Sequence, residues 1–331
     1  MTPQVALLGA VDGQVLRATG WQVRGSLATS PFALYADPRD VPSYASLDEL
    51  IADVSLDAVA LDGADDQLAR SLPALLAAGL HVLLPGAAPL EPEVLRAARA
   101  VTGPGPAVAD DPHRPARSGA AVAEVAVALT ERWEPWAVTA AAAAPLVGSA
   151  VLQATVRGWP RGPGAAAELV DLARAWCGEV VAVVAAPATL PAASLGEGLP
   201  VAWALLHAGG ATTLVSHEGA PPLARLSFAT ARLEAGPLGA RWAGGAELAL
   251  LPSPGGRRRP LEPSVPVPAA PPGAPAGLLA CAAALHEAVT SGDLWSPTWP
   301  WPADLGDLQA VGRVLSALRS SARTEAPVTV A

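Results

Sequence analysis

Two carboxylates one helical turn apart are the first candidates for chemistry. Glu168 and Asp171 stand at i and i+3, and Arg174 follows three residues later, so all three share one face of a helix. Two carboxyl groups in unlike surroundings divide into an acid and a base, because burial or a like charge raises one pKa and leaves the other ordinary. The same spacing also suits a helix whose Glu168, Asp171 and Arg174 make ion pairs at a pocket rim or in water, and both readings stay open. Glu168 is the candidate acid or base. Asp171, Arg157 and His113 are candidate pocket residues. Arg157 ends Val151 to Arg157, where Gln153, Thr155 and Arg157 alternate with apolar positions as in a strand with one wet face. His113 lies in Asp110-Asp111-Pro112-His113-Arg114-Pro115, at the junction of two halves, where ligands commonly bind; a polar connecting loop is the other reading.

The remaining histidines and the cysteines suggest structure rather than catalysis. His207 and His217 fall on strands flanking Gly209-Gly210 and could meet across a hairpin, but neither has a carboxylate at metal-ligand spacing. Cys177 and Cys281 lie in apolar helical contexts that suit buried thiols, and no CxxC or Cys/His cluster exists, so no metal is expected.

The 331 residues carry a formal charge of −9, which argues against a nucleic-acid partner, whose affinity rests on neutralising phosphates. Arginine accounts for all of the basic residues, so the chain has no lysine; it has no asparagine either. The N-terminus shows no charged segment followed by an apolar one, and no apolar run reaches membrane-spanning length, so a cytoplasmic protein is expected, with no membrane partner. Nine of the ten tryptophans follow residue 130, and the run Trp295-Ser296-Pro297-Thr298-Trp299-Pro300-Trp301 is a proline-stiffened loop able to plate a ligand or pack on a sheet.

The elements that must position these residues alternate in the first half. Val5–Leu8, Phe32–Ala36, Ala58–Leu61, His81–Leu84 and Ala107–Ala109 read as strands. Between them come helices after Asp12, after the capping box Ser46-Leu47-Asp48-Glu49, at Leu68 to Leu76, and at Val94 to Ala100. That alternation predicts right-handed crossovers and a parallel, Rossmann-type sheet over residues 1–115. Residues 116–331 read as an α+β domain: a connecting helix through Val122, Val125, Leu129 and Trp133, then a largely antiparallel open sheet built from Val151 to Arg157, Val180–Ala186, Val201–His207, Thr212–His217, Leu223–Phe228 and Ala246–Leu251. Helices at Leu278–Val289 and beyond Asp304 close it. The fold class is therefore α/β plus α+β.

This order resembles the Gfo/Idh/MocA family of nicotinamide-dependent oxidoreductases over nearly the whole chain. The resemblance is carried by Val5-Ala6-Leu7-Leu8-Gly9, Tyr44-Ala45-Ser46-Leu47-Asp48-Glu49-Leu50, Leu56-Asp57-Ala58-Val59, Ala77-Ala78-Gly79-Leu80-His81-Val82-Leu83, the Gly164-to-Val184 segment, and Asp304–Val330 with Ser320-Ser321-Ala322 and Pro327-Val328. It implies a cofactor-binding first domain and a second domain whose sheet roofs the substrate site and carries oligomer contacts. It also shows what has changed. The family's GxGxxG loop falls on Gly9, Val11 and Gln14, and a valine Cβ intrudes where the second glycine admits the pyrophosphate. Asp37 stands where the family's ribose-binding acid stands, and Asp37-Pro38 is equally a turn; on the first reading Gly9 and Asp37 are candidate remnants of a nucleotide site. The family's Glu-Lys-Pro motif is Pro85-Gly86-Ala87, and its Asp-x-Gly-x-His-x-x-Asp signature becomes Gly164, Ala166, Glu168 and Asp171. The loop, the lysine and the histidine are replaced together. The expectation is a pseudoenzyme with no cofactor, binding a small molecule or assisting an enzyme partner, and forming homo-oligomers. The alternatives are a lyase, isomerase or cyclase using Glu168, or an NAD(P) oxidoreductase with a rebuilt loop.

Overall fold

The computed structural model describes residues 2–27, 41–63, 65–85, 90–102, 123–133, 137, 150–157, 164–185, 202–216, 223–228, 232–236, 239–242, 276–291 and 303–330. Contacts divide the chain into two compact units, Met1–Thr130 with Val267–Gln309, and Glu131–Pro266 with Ala310–Ala331.

The first unit is built on a five-stranded sheet of order β2-β1-β3-β4-β5, parallel throughout. Its strands are β1 (Gln4–Leu8), β2 (Gln22–Leu27), β3 (Ala58–Leu61), β4 (His81–Leu84) and β5 (Val125–Val127). Central β1 and β3 are short apolar runs because both of their faces are covered, and Val5 to Leu8 and Ala58 to Leu61 are almost completely buried. The connecting helices are α1 (Gly13–Ala18), α2 (Leu47–Ala52), α3 (Asp66–Ala69), α4 (Leu72–Ala77) and α5 (Pro92–Thr102). The capping box behaves as its residues demand: Ser46 accepts from the Glu49 N–H at 3.1 Å, and Glu49 reaches back to the Ala45 N–H at 2.6 Å. A later segment, the Ala276–Ser291 helix, packs on α1, β4 and β5. Trp21 ties it down, donating its indole N–H to the Ala282 carbonyl at 3.0 Å with its ring edge-on to His286.

Two strands differ from the sequence expectation. The strand beside β1 is Gln22–Leu27, where polar Gln22, Arg24 and Ser26 alternate with Val23, Gly25 and Leu27. It is an edge strand and needs no continuous apolar run. Phe32–Ala36 and Ala107–Ala109 lie outside the described residues. The segment through Val125 is not a helix: Val125–Val127 is a fully buried strand beside β4, followed by a 3-10 turn, Thr130–Trp133. A short apolar run buried on both faces has no period to distinguish strand from helix.

The second unit holds an eight-stranded sheet of order β12-β11-β10-β6-β9-β8-β7-β13. The strands are β6 (Gln153–Arg157), β7 (Val180–Ala185), β8 (Ala202–His207), β9 (Thr212–Ser216), β10 (Leu223–Ser227), β11 (Arg232–Gly236), β12 (Gly239–Trp242) and β13 (Val328–Thr329). Every pairing is antiparallel except β6 with β9. One face is buried through Ala154, Val156, Val183, Trp203, Leu205, Val215, Ala224 and Leu226; the Ala165–Cys177 helix packs on β6 and β9. The other face exposes Val181, Leu206 and Leu214. The β11–β12 hairpin was not anticipated, and Ala246–Leu251 lies outside the described residues. The closing segment is the Leu305–Thr324 helix and then a strand, β13, because Glu325 turns the chain at φ 52° and Ser321 fastens it by donating to the Ala326 carbonyl at 2.6 Å.

Candidate functional site

Gly9 follows β1 at the point where strand order reverses between β1 and β3, the place where open α/β sheets bind ligands. Its φ is +83°, and a Cβ there would lie 2.7 Å from the Asp62 Cβ and 2.8 Å from a Leu68 methyl. Only glycine satisfies both demands. The loop turns on this chain's own carboxylates. Asp12 caps α1 and accepts from the Gln14 N–H at 2.8 Å, while Asp62, just past β3, receives the Ala10 N–H at 3.3 Å. Val11 is buried, as are Gly13 and Val15. Sequence inspection missed Asp62. The signal was available: an acid directly after a buried strand, in Leu61-Asp62-Gly63-Ala64-Asp65-Asp66, stands at the same sheet end as Gly9.

In the second unit the Ala165–Cys177 helix carries the two carboxylates into different surroundings. Gly164 opens it at φ +82° and Gly178 ends it at φ +84°. Asp171 is 1 % exposed and is met by the equally buried Arg132, with Nε at 2.8 Å from one oxygen and a terminal nitrogen 2.5 Å from the other. This bidentate fork is the geometry that lets a charge pair survive burial. Arg174 stands 3.9 Å from Asp171 and turns its guanidinium to Glu179 at 2.6 Å. Glu168, one turn nearer the helix start and half-buried, accepts from the Glu131 N–H at 3.2 Å. The 3-10 turn Thr130–Trp133 therefore lies along the helix, its backbone on Glu168 and its arginine on Asp171. Arg132 is the second residue that sequence inspection missed. Asp171 sits between buried Val170 and Leu172 and demands a cationic partner, but nothing in the spacing says which arginine supplies it.

Arg157 is exposed, paired between Ser216 and Leu223. Buried Ala154 and Val156 alternate with it, so it belongs to the sheet face opposite the covered one. Asp37, His113, Gly86 and Ala87 lie outside the described residues, as does His217. His81 is mostly buried at the start of β4, and its Nδ1 accepts the Glu124 N–H at 3.1 Å; burial holds its pKa below the ordinary value despite nearby Asp57. His207 sits at the end of β8 between the Gly178 carbonyl at 2.6 Å and the Thr213 hydroxyl at 2.9 Å. Burial lowers its pKa as well, against the Gly178 hydrogen bond and the charge of Glu179. Among the described residues no group of three or more His, Cys, Asp and Glu side chains could hold a metal ion, and no helix is long and apolar enough to cross a membrane.

Compared by sequence, the chain matches no family model and no curated protein. Compared by structure, it has the fold of the Gfo/Idh/MocA-type oxidoreductases. A putative myo-inositol dehydrogenase from Sinorhizobium meliloti 1021 superposes with a TM-score of 0.66 at 17% identity, over 100% of both chains. A levoglucosan dehydrogenase in complex with NADH and levoglucosan gives 0.66, 17% and 100% of both chains. An aldose-aldose oxidoreductase from Caulobacter crescentus, complexed with glycerol, gives 0.65 at 15% identity over 99% of this chain and 100% of its own. At such identities the likeness is one of architecture, and it matches the parallel sheet followed by an open, mostly antiparallel one.

Proposed function

We propose that this chain keeps the scaffold of a nicotinamide-dependent oxidoreductase without its hydride-transfer chemistry, and acts as a small-molecule-binding or accessory protein. The observation that carries this is the state of the loop after β1. A dinucleotide is held there through its diphosphate, an anion that needs open N–H groups and a close backbone approach. Here Asp12 and Asp62 already take the Gln14 and Ala10 N–H groups, and buried Val11 stands where the second glycine would be. Two carboxylates at the mouth of the loop repel a diphosphate instead of attracting it. These residues do not fit a nicotinamide dinucleotide bound in that manner. The absence of any lysine and the glutamate in place of the family's histidine point the same way.

The deciding experiment uses the chain's own fluorescence. NADH and NADPH are titrated into the purified protein while indole emission is followed. The expected outcome is no saturable quenching at micromolar concentrations. Saturable quenching, with hydride transfer to a sugar or polyol, would restore the oxidoreductase reading.

A second reading draws on Glu168. It is a half-buried carboxylate held by a backbone N–H, one turn from an aspartate whose charge Arg132 offsets. That arrangement suits a general acid or base in an elimination, isomerisation or cyclisation. Native mass spectrometry of the purified chain would detect a carried metabolite. If Glu168→Gln abolished its turnover and spared its binding, the chain would be an enzyme of this second kind; a harmless Glu168→Ala favours the accessory role. Self-association belongs to the proposal too. The open face of the second sheet groups exposed Val181, Leu206 and Leu214, apolar surface that a partner would cover.

A further inference from the structure

Three groups that the proposed function leaves unused form one chain of hydrogen bonds in the second unit. Cys177 ends the Ala165–Cys177 helix, His207 ends β8, and Thr213 lies on β9 across the hairpin. The Thr213 oxygen is 3.6 Å from the Cys177 sulfur and 2.9 Å from His207 Nε2, and Nδ1 of the same ring is 2.6 Å from the Gly178 carbonyl. The chemistry of these atoms settles the proton positions. A carbonyl only accepts, so Nδ1 carries a hydrogen and Nε2 of the neutral ring is an acceptor. The Thr213 hydroxyl donates to Nε2, and its oxygen is then left to accept the Cys177 S–H. The order is thiol to hydroxyl to imidazole, anchored on a backbone carbonyl.

This order can reverse without moving a heavy atom. If the sulfur gives up its proton, Thr213 takes it and passes its own to Nε2. The imidazolium then donates from both nitrogens, to Gly178 and to Thr213, and the Thr213 hydroxyl turns to the sulfur. Every hydrogen bond survives, so the chain can carry a proton. At rest the neutral form prevails: burial pushes the thiol up to about 11 and holds the imidazole below its ordinary value. Among the described residues Glu179, which Arg174 holds at 2.6 Å, is an ionised side chain acting on His207.

Cys177 is half-buried, whereas His207 is 3 % exposed. Beside it Gly178, and in the facing hairpin Gly209 and Gly210, have open space where a Cβ would stand. We propose that Cys177 is a base-assisted nucleophile, with Thr213 relaying its proton to His207, and that it captures soft, uncharged electrophiles of the α,β-unsaturated carbonyl class. In the step, sulfur bonds to the β-carbon as the alkene electron pair moves toward the carbonyl oxygen. The thiol proton moves through Thr213 to Nε2. It returns to the α-carbon, giving a thioether and a neutral imidazole. No oxidant or leaving group is required, which suits a site with one hydroxyl and one base. An uncharged reactant also avoids the cost of bringing an ion against a half-buried thiol.

N-ethylmaleimide is the probe, used on the full chain, with labelled positions read by mass spectrometry. Fully buried Cys281 is the internal control. Cys177 is expected to be labelled first, at a pH 7 rate well above the one that the thiolate fraction of a thiol pushed up to about 11 would give. Thr213→Val, which keeps the shape and removes the relay, should slow labelling at pH 7 at least about tenfold, as should His207→Gln. Thr213→Ser should restore it. Equal rates in wild type and Thr213→Val overturn the proposal. So does a pH 7 rate no faster than that thiolate fraction allows, or an unlabelled Cys177 in the native chain. Should His207→Gln lose its circular-dichroism signature, the wild-type rate at pH 7 and the two Thr213 variants decide alone.

Discussion

Asp171 keeps its charge inside an apolar helix because Arg132 meets it with two hydrogen bonds. Removing one partner strands the other, so Arg132→Ala is expected to cost about 3–5 kcal/mol in chemical denaturation of the chain. The double variant Arg132→Met with Asp171→Leu should recover most of that loss, because two apolar side chains leave no buried charge. Glu168→Gln, which keeps its size and its acceptor oxygen, should shift the same midpoint by less than about 1 kcal/mol. Gly9 makes an independent demand. Gly9→Ala forces a non-glycine residue to φ +83° and drives its Cβ into Asp62, so a loss of roughly 1–3 kcal/mol is expected, read as a lower Tm. The lone acids and arginines were visible as types in the sequence. Their pairings were not, since Arg132 and Asp171 are 39 positions apart and other arginines stand nearer.

Helices whose ends are written in local chemistry were the legible elements. Ser46-x-x-Glu49 and the glycine after Cys177 mark boundaries through groups two to four residues away, and the structure places α2 and the Ala165–Cys177 helix there. Ser46→Ala should accordingly cost about 1 kcal/mol, measurable as a shift in denaturation midpoint, while Ser46→Asp should be nearly neutral. Strands were less legible. β2 and the β11–β12 hairpin sit toward sheet edges, where one neighbour suffices and apolar patterning relaxes. Val125–Val127 shows the opposite limit, a strand so deeply buried that its pattern fits either element.

For the molecule as a whole, acid should be destabilising in a defined window. His81 and His207 both have folded pKa values held down by burial, so the unfolded chain binds protons that the folded chain refuses. Their contribution is complete above the unfolded value of about 6.5 and is lost as pH falls below it, by up to about 1.4 kcal/mol per pH unit for each group. Unfolding followed between pH 8 and pH 5 should show this decline; a flat profile would contradict the two burials. Assembly is a second expectation of the whole. If the open face of the second sheet is covered by another copy, Leu206→Glu with Leu214→Glu should reduce the mass seen by light scattering to that of one chain and leave circular dichroism unchanged. Composition, the alternation of elements and the succession of short motifs were enough to give the two-sheet architecture and to register the missing lysine and histidine, because apolar periodicity and residue identity are local properties of the chain. Which carboxylate rests on the Gly9 loop, which arginine meets Asp171, and that a cysteine, a threonine and a histidine join in one proton path are matters of strand order and register. Those depend on long-range packing, which brings distant residues within hydrogen-bonding distance and leaves no mark in their spacing.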